Sequence, residues 1–122
     1  MNKTLLCSYN DKDSLQVGES FVFELPVDIS RELISKGNQG FVHRHESGFS
    51  AFINNCPHVN LPLDFDDGRF YFDDVPGLLC RVHGAVFNEK SGECVEGPCR
   101  GQSLLALLVE EVDEKLLVFL EN

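Results

Sequence analysis

No apolar run in the chain approaches the roughly eighteen residues that a membrane-crossing helix needs, so no transmembrane span is expected. The N-terminus, Met1-Asn2-Lys3-Thr4-Leu5-Leu6-Cys7, carries one Lys and a two-residue apolar patch, too little for a secretory signal. A cytoplasmic protein is the expectation. Basic residues are scarce: 10 Lys and Arg stand against 20 Asp and Glu, a formal net charge of −10. Nucleic-acid phosphates need cations to neutralise them, so nucleic acid is not an expected partner. The acidity suits docking onto a basic protein surface, and it equally serves solubility. A Gly-rich nucleotide fingerprint, a phosphate loop and a Ser-His-Asp set are all missing. Direct use of NAD(P)H and nucleophilic catalysis are therefore not expected. Repeats and linkers are missing too, and 122 residues with 43% hydrophobic content read as a single domain, 1–122.

What the chain does have is many short apolar segments broken by turns. Residues 4–9 read as a strand, followed by a polar turn at 10–14. Phe21, Phe23 and Leu25 alternate across 20–27, a half-buried strand that Pro26 ends. Residues 28–36 suggest a short helix, with Ile29 and Leu33 four apart and Gly37 at its stop. The best hairpin signal is 41–46, Ser47-Gly48 and 49–55, whose second arm leads straight to Cys56. Residues 69–73 alternate aromatic and polar as a strand would. The runs 104–109 and 115–120, joined by Glu110-Glu111-Val112-Asp113-Glu114, read as a terminal hairpin, with a helix as competitor in the leucine-rich first run. The pattern points to an all-β sandwich or small barrel.

Five cysteines are an odd count, which argues against a disulfide framework and for metal binding or reactive thiols. Four ligand-type residues fall in two short pairs, Cys56-Pro57-His58 and Cys80-Arg81-Val82-His83, with 21 residues between His58 and Cys80. Thiolate and imidazole together suit zinc or iron. A structural zinc would close all four ligands on one ion. A [2Fe-2S] cluster would take two ligands per iron, and two Cys with two His is one such set.

The surroundings of the pairs are Cys56-Pro57-His58-Val59-Asn60-Leu61-Pro62-Leu63 and Cys80-Arg81-Val82-His83-Gly84-Ala85-Val86-Phe87, followed by Gly92 and Gly97-Pro98. These boxes closely resemble the Rieske [2Fe-2S] family, over about residues 49–104. The resemblance implies stacked antiparallel sheets with a cluster-binding tip formed by two loops, about 56–63 and 80–87, and a covering loop, about 94–101. It implies that Cys56 and Cys80 hold the inner iron and that His58 and His83 hold the outer one. Gly84 would let the second loop approach the cluster closely. The implied function is a one-electron carrier of ferredoxin type, passing electrons from a reductase to a terminal oxygenase or similar enzyme. A small Rieske-like subunit of a nitrite-reductase-type enzyme is the alternative. A zinc-stabilised interaction module using the same ligands is the alternative from another class.

Several residues carry blander readings. Cys94 and Cys99 flank Gly97-Pro98 and read as two buried free thiols, with a bracing disulfide as the competing idea. Cys7 reads as a packed strand residue. His43 and His45 share one side of a strand and read as surface histidines. Asp64, Asp66, Asp67, Asp73 and Asp74 read as a solvated face or a docking patch, and they lack the spacing of a calcium loop. Arg81 is a candidate for the contact surface or for offsetting these acids.

High-potential members of the resembled family have a further Cys in each loop, and a Ser and a Tyr that donate hydrogen bonds to the cluster sulfurs. The matching positions here are Leu61, Val82, Ala85 and Phe87. Donors to sulfur stabilise the more negative, reduced form, so their loss lowers the potential. A redox titration should place the midpoint towards about −150 mV, and a value above about +100 mV would contradict this reading.

Overall fold

The computed structural model describes residues 3–26, 28–29, 38–57, 61–82 and 84–121. Among them are nine strands and one short 3-10 turn at Lys12–Ser14. The strands are β1 (Lys3–Tyr9), β2 (Ser20–Glu24), β3 (Gln39–His45), β4 (Gly48–Ile53), β5 (Leu78–Leu79), β6 (Val86–Phe87), β7 (Cys94–Glu96), β8 (Ala106–Val112) and β9 (Lys115–Glu121). They pair antiparallel in two sheets, a six-stranded one in the order β1-β9-β8-β4-β3-β2 and a three-stranded one in the order β5-β6-β7. The all-β, stacked antiparallel expectation holds. No helix among the described residues is long and apolar enough to cross a membrane.

The hairpin β3–β4 organises the rest. Its register pairs Phe41 with Phe52, Val42 with Ala51 and Gly40 with Ile53. Successive side chains on a strand point to opposite faces, so this hairpin feeds two separate cores. Phe41 and Phe52 face one core with Cys56, Leu63, Phe70, Leu78, Cys80 and Phe87. Val42, Ala51 and Ile53 face the other with Leu6, Leu107, Leu116 and Val118. A hairpin covered on both sides reads as a nearly continuous apolar run rather than an alternating one. The first core lies under the three-stranded sheet and holds Cys56 and Cys80.

The terminal hairpin is confirmed and is longer than expected. Glu110, Glu111 and Val112 belong to β8, and the turn shrinks to Asp113-Glu114, with Asp113 at φ +57°. Asp tolerates this left-handed conformation, which suits a tight hairpin. The strand expected at 69–73 does not form. Tyr71 makes one isolated bridge to Leu78, while Phe70 turns into the first core and stacks on Phe41 with ring centroids 3.9 Å apart. Its aromatic alternation reflects core filling rather than sheet pairing. The expected helix at 28–36 lies, after its first two residues, outside the described residues. Cys7 sits half-buried in β1, as expected, beside a break in register with β9.

His43 and His45 are not surface residues. Both are buried, His43 completely. The expectation of a solvated strand face failed because this face of β3 is covered by the turn that carries Glu89. Glu89 accepts a hydrogen bond from His43 Nε2 at 2.7 Å, and Ser20 Oγ lies 2.8 Å from His43 Nδ1. Desolvation holds both imidazoles below the ordinary histidine pKa, against the opposing pull of Glu89. A neutral His43 thus donates from Nε2 to the carboxylate and accepts at Nδ1 from the serine.

The result is a Ser-His-carboxylate chain that the sequence hides, because its members are 23 and 46 residues apart. The amides of Gly18 and Gly68, which line the same cleft as Ser20, are already committed, donating to Arg44 O and to Asp64 Oδ2. The chain cross-links β2, β3 and the 88–91 turn.

A histidine whose pKa is lowered on folding binds more protons when unfolded. Its contribution to stability is present above pH 6.5 and is lost as pH falls below it. The melting temperature should therefore fall between pH 7 and pH 5. His43→Gln, which can keep both hydrogen bonds without titrating, should give a shallower pH profile in thermal melts.

Candidate metal centre

Two loops leave the first core and face each other. The first follows β4. Cys56 donates its amide hydrogen to Leu61 O at 2.8 Å, closing a five-residue step. The second follows β5. Cys80 donates to Ala85 O, also at 2.8 Å and also across five residues. Unrelated in length of approach, the two loops use the same closure. They are tied together where Arg81 N donates to Leu63 O at 3.0 Å. Cys56 and Cys80 are both fully buried, members of one apolar cluster. His58 and His83 lie outside the described residues.

Gly84 follows the second pair at φ +77°, a left-handed conformation that closes the tight Gly84 N to Cys80 O bond of 2.9 Å. A Cβ there would meet no protein atom within 4 Å. Within the protein, glycine is required here by backbone conformation. The covering loop comes much closer. Gly97 stands at φ +98°, and a Cβ on it would lie 2.8 Å from the Ala85 Cα, so the loop rests directly on the backbone of the second ligand loop.

The support under the first loop was not visible in the sequence. Asn54, two residues before Cys56, is buried, and its amide makes three hydrogen bonds. Oδ1 accepts from Leu63 N at 2.9 Å, and Nδ2 donates to Asp64 Oδ1 at 3.0 Å and to Gln39 Oε1 at 3.3 Å. Asp64 is buried as well, and its second oxygen accepts from Gly68 N at 3.0 Å. Asp64 is thus removed from the expected acidic surface; it is an internal brace for the first loop. A lone Asn beside a ligand carries no periodicity or spacing, so pattern reading passes over it.

Asp66, Asp67, Asp73 and Asp74 are exposed. Arg81, undecided from sequence, pairs with Asp67, and its guanidinium lies over the rings of Phe65 at 4.3 Å and Phe72 at 5.3 Å. The hydrogen bond from Arg81 holds the Asp67 carboxyl below the usual range. Beside this clamp the surface is apolar: Leu61 is 48% exposed, Phe65 59% and Val82 37%.

Cys94 and Cys99 are buried free thiols with sulfurs 3.1 Å apart. Burial is the largest cause that pushes the Cys99 thiol up to about 12, with contributions from Cys94 and then Cys56 beside it. The covering loop thus places Cys99 in the same buried apolar cluster as Cys56 and Cys80.

The profile of the Rieske [2Fe-2S] domain matches residues 21–116. No curated protein matches the chain significantly by sequence. Among solved structures, the ferredoxin of carbazole 1,9a-dioxygenase from Nocardioides aromaticivorans IC177 superposes with a TM-score of 0.68 at 20% identity, covering 99% of this chain and 100% of that one. A complex of reduced oxygenase and oxidised ferredoxin in carbazole 1,9a-dioxygenase gives 0.69 at 20% identity, covering 95% and 91%. Sphingomonas yanoikuyae B1 ferredoxin gives 0.63 at 21% identity, covering 96% and 97%. At these identities the likeness is one of fold.

Replacing Asn54 with Ala removes the amide and leaves the Leu63 N–H and Asp64 without their partner. Asn54→Ala should cost about 1–3 kcal/mol in urea unfolding, the penalty for buried groups left unsatisfied. It should also lower the metal content per chain, measured by elemental analysis.

Proposed function

The chain belongs to the Rieske [2Fe-2S] domain family, and from that premise we propose that it is a one-electron carrier of the ferredoxin type, serving a reductase and a terminal oxygenase or similar enzyme. In this reading Cys56 and Cys80 hold the inner iron as thiolates, and His58 and His83 hold the outer iron through neutral imidazole nitrogens. The single observation that carries it is the matched closure of the two loops around buried Cys56 and Cys80. The donor chemistry fits the group: two soft thiolates from facing loops, each with an imidazole two or three residues on. When bound, the cluster supplies a one-electron couple.

The residues around it have separable tasks. Asn54 and Asp64 hold the first loop in shape before any metal arrives. The apolar cluster around the two cysteines keeps water from their sulfurs, which limits loss of the ligands to solvent protons. Leu61 and Val82, one on each ligand loop, are exposed where high-potential members carry their extra cysteines. With Phe65 they offer a small apolar surface, and the exposed Asp66, Asp67, Asp73 and Asp74 add negative charge to the same stretch of chain. A partner with a basic rim around an apolar centre suits such a face. That a similar ferredoxin has been seen in complex with its oxygenase supports a protein partner. The alternative of a nitrite-reductase-type small subunit implies the same ligands and chemistry, with a larger enzyme as partner. A cytoplasmic location fits the five free cysteines.

The purified protein should be red-brown, contain two irons and two sulfides per chain, and give an axially split signal of low average g on reduction. A colourless protein with one zinc per chain would instead establish the interaction-module reading. His83→Cys should retain a cluster at a lower potential, because a thiolate replaces a neutral ligand with a negative one.

A further inference from the structure

The covering loop holds a pair of thiols that belongs to neither Cys-His box. Cys94 opens β7 and Cys99 follows it in the loop, with the two sulfurs 3.1 Å apart. The backbone fixes that approach. Cys94 N donates to Gln102 O, and Gln102 N donates to Cys99 O, each at 2.9 Å, closing the loop at its base. Arg100 Nε donates to Val95 O at 3.2 Å across it. Gly97 and Gly101 turn the chain at φ +98° and +90°, a conformation that side chains disfavour. Cys7, by contrast, packs against the other core.

Two sulfurs this close need move only about 1 Å to reach the bonded distance of roughly 2.05 Å. What they give up is small: the S–H contact between them and one from Cys94 to Glu96 O at 3.2 Å, both from weak thiol donors. Both cysteines are buried, yet Val95, Glu96, Gly97, Pro98, Arg100 and Gly101 around them are exposed. Lifting of this one loop therefore brings the thiols to solvent. We propose that Cys94 and Cys99 are a redox-sensitive site, forming a reversible disulfide that locks the covering loop. The oxidant is a small disulfide such as oxidised glutathione. One thiol attacks it, giving a mixed disulfide and releasing one glutathione, and the second thiol then displaces the other. Two S–H bonds break and one S–S bond forms in the loop, while two electrons and two protons leave in two molecules of glutathione. In a reducing compartment such a bond is transient, as sensing disulfides are. Because Gly97 rests on Ala85, the locked loop is held against the second Cys-His box. This chemistry does not depend on which metal the boxes take.

The test equilibrates the purified protein with mixtures of reduced and oxidised glutathione, starting from both the fully reduced and the fully oxidised chain because burial slows exchange. Samples are quenched in acid, alkylated and cut with trypsin. Cleavage after Lys90 and Arg100 releases Ser91–Arg100, which carries Cys94 and Cys99 and no other cysteine, so mass spectrometry counts this pair alone. The reference is a synthetic peptide of the same residues, in which no fold holds the sulfurs together. At a fixed glutathione ratio, disulfide over dithiol in the folded protein should exceed that in the peptide by at least about threefold, the gain from prepaid proximity. A smaller gain overturns the proposal and leaves two packed thiols. So does a pair that stops at the mixed disulfide with glutathione, or one that cross-links to another cysteine. Hydrogen exchange reads the lock itself. The Gln102 amide, bonded to Cys99 O, should exchange at least about threefold more slowly in the oxidised protein than in the reduced one, since the disulfide restricts the opening that exchange requires. A slowing smaller than that means the bond does not lock the loop, and overturns the proposal as well.

Discussion

Everything at the metal end depends on one hairpin being buried on both faces. Because β3 and β4 carry Phe41 and Phe52 on one side and Val42, Ala51 and Ile53 on the other, the hairpin cannot present either face to water. The six-stranded sheet packs its second core on one face, and the three-stranded sheet covers the other. The end of β4 is therefore held firmly, and Asn54 transmits that rigidity to the first ligand loop. Its amide spans from Gln39 at the start of β3 to Leu63 and Asp64 beyond the first Cys-His box. No buried side-chain nitrogen or oxygen among the described residues lacks a partner, so the described part of the two loops is a satisfied network.

On that base the two ligand loops are local solutions to the same problem. Each must turn its cysteine inward and release the chain within a few residues, and each does so with an amide bond from the cysteine to a carbonyl five residues on. The covering loop, with Gly97 against Ala85, adds Cys99 to the same buried cluster. Sulfur is kept inside an apolar cluster, while Leu61, Phe65 and Val82 remain at the surface. Separating a dry metal side from an exposed contact side is what an electron carrier needs, because transfer requires close approach without solvent access to the ligands.

Much of this was legible in the sequence, for definite reasons. The two Cys-His boxes and the glycine after the second one are local patterns, and both hairpins announce themselves through turn residues between apolar runs. What escaped was long-range. His43 and His45 looked like solvated residues because nothing local shows that the 88–91 turn lies over them. Asp64 looked like one of several surface acids, yet Asn54, ten residues earlier, draws it inside. The run at 69–73 has a strand's alternation, and Phe70 spends it on stacking with Phe41.

The central claim is that one buried pair of cysteines and one pair of histidines divide between two irons. Hyperfine spectroscopy of the reduced protein, with histidine labelled by nitrogen-15, tests it most directly. The account predicts two distinct imidazole nitrogen couplings to the reduced centre, with the cluster or its spectrum changed when His58 or His83 is replaced. A reduced iron–sulfur signal with no histidine nitrogen coupling, unaffected by either substitution, would contradict it.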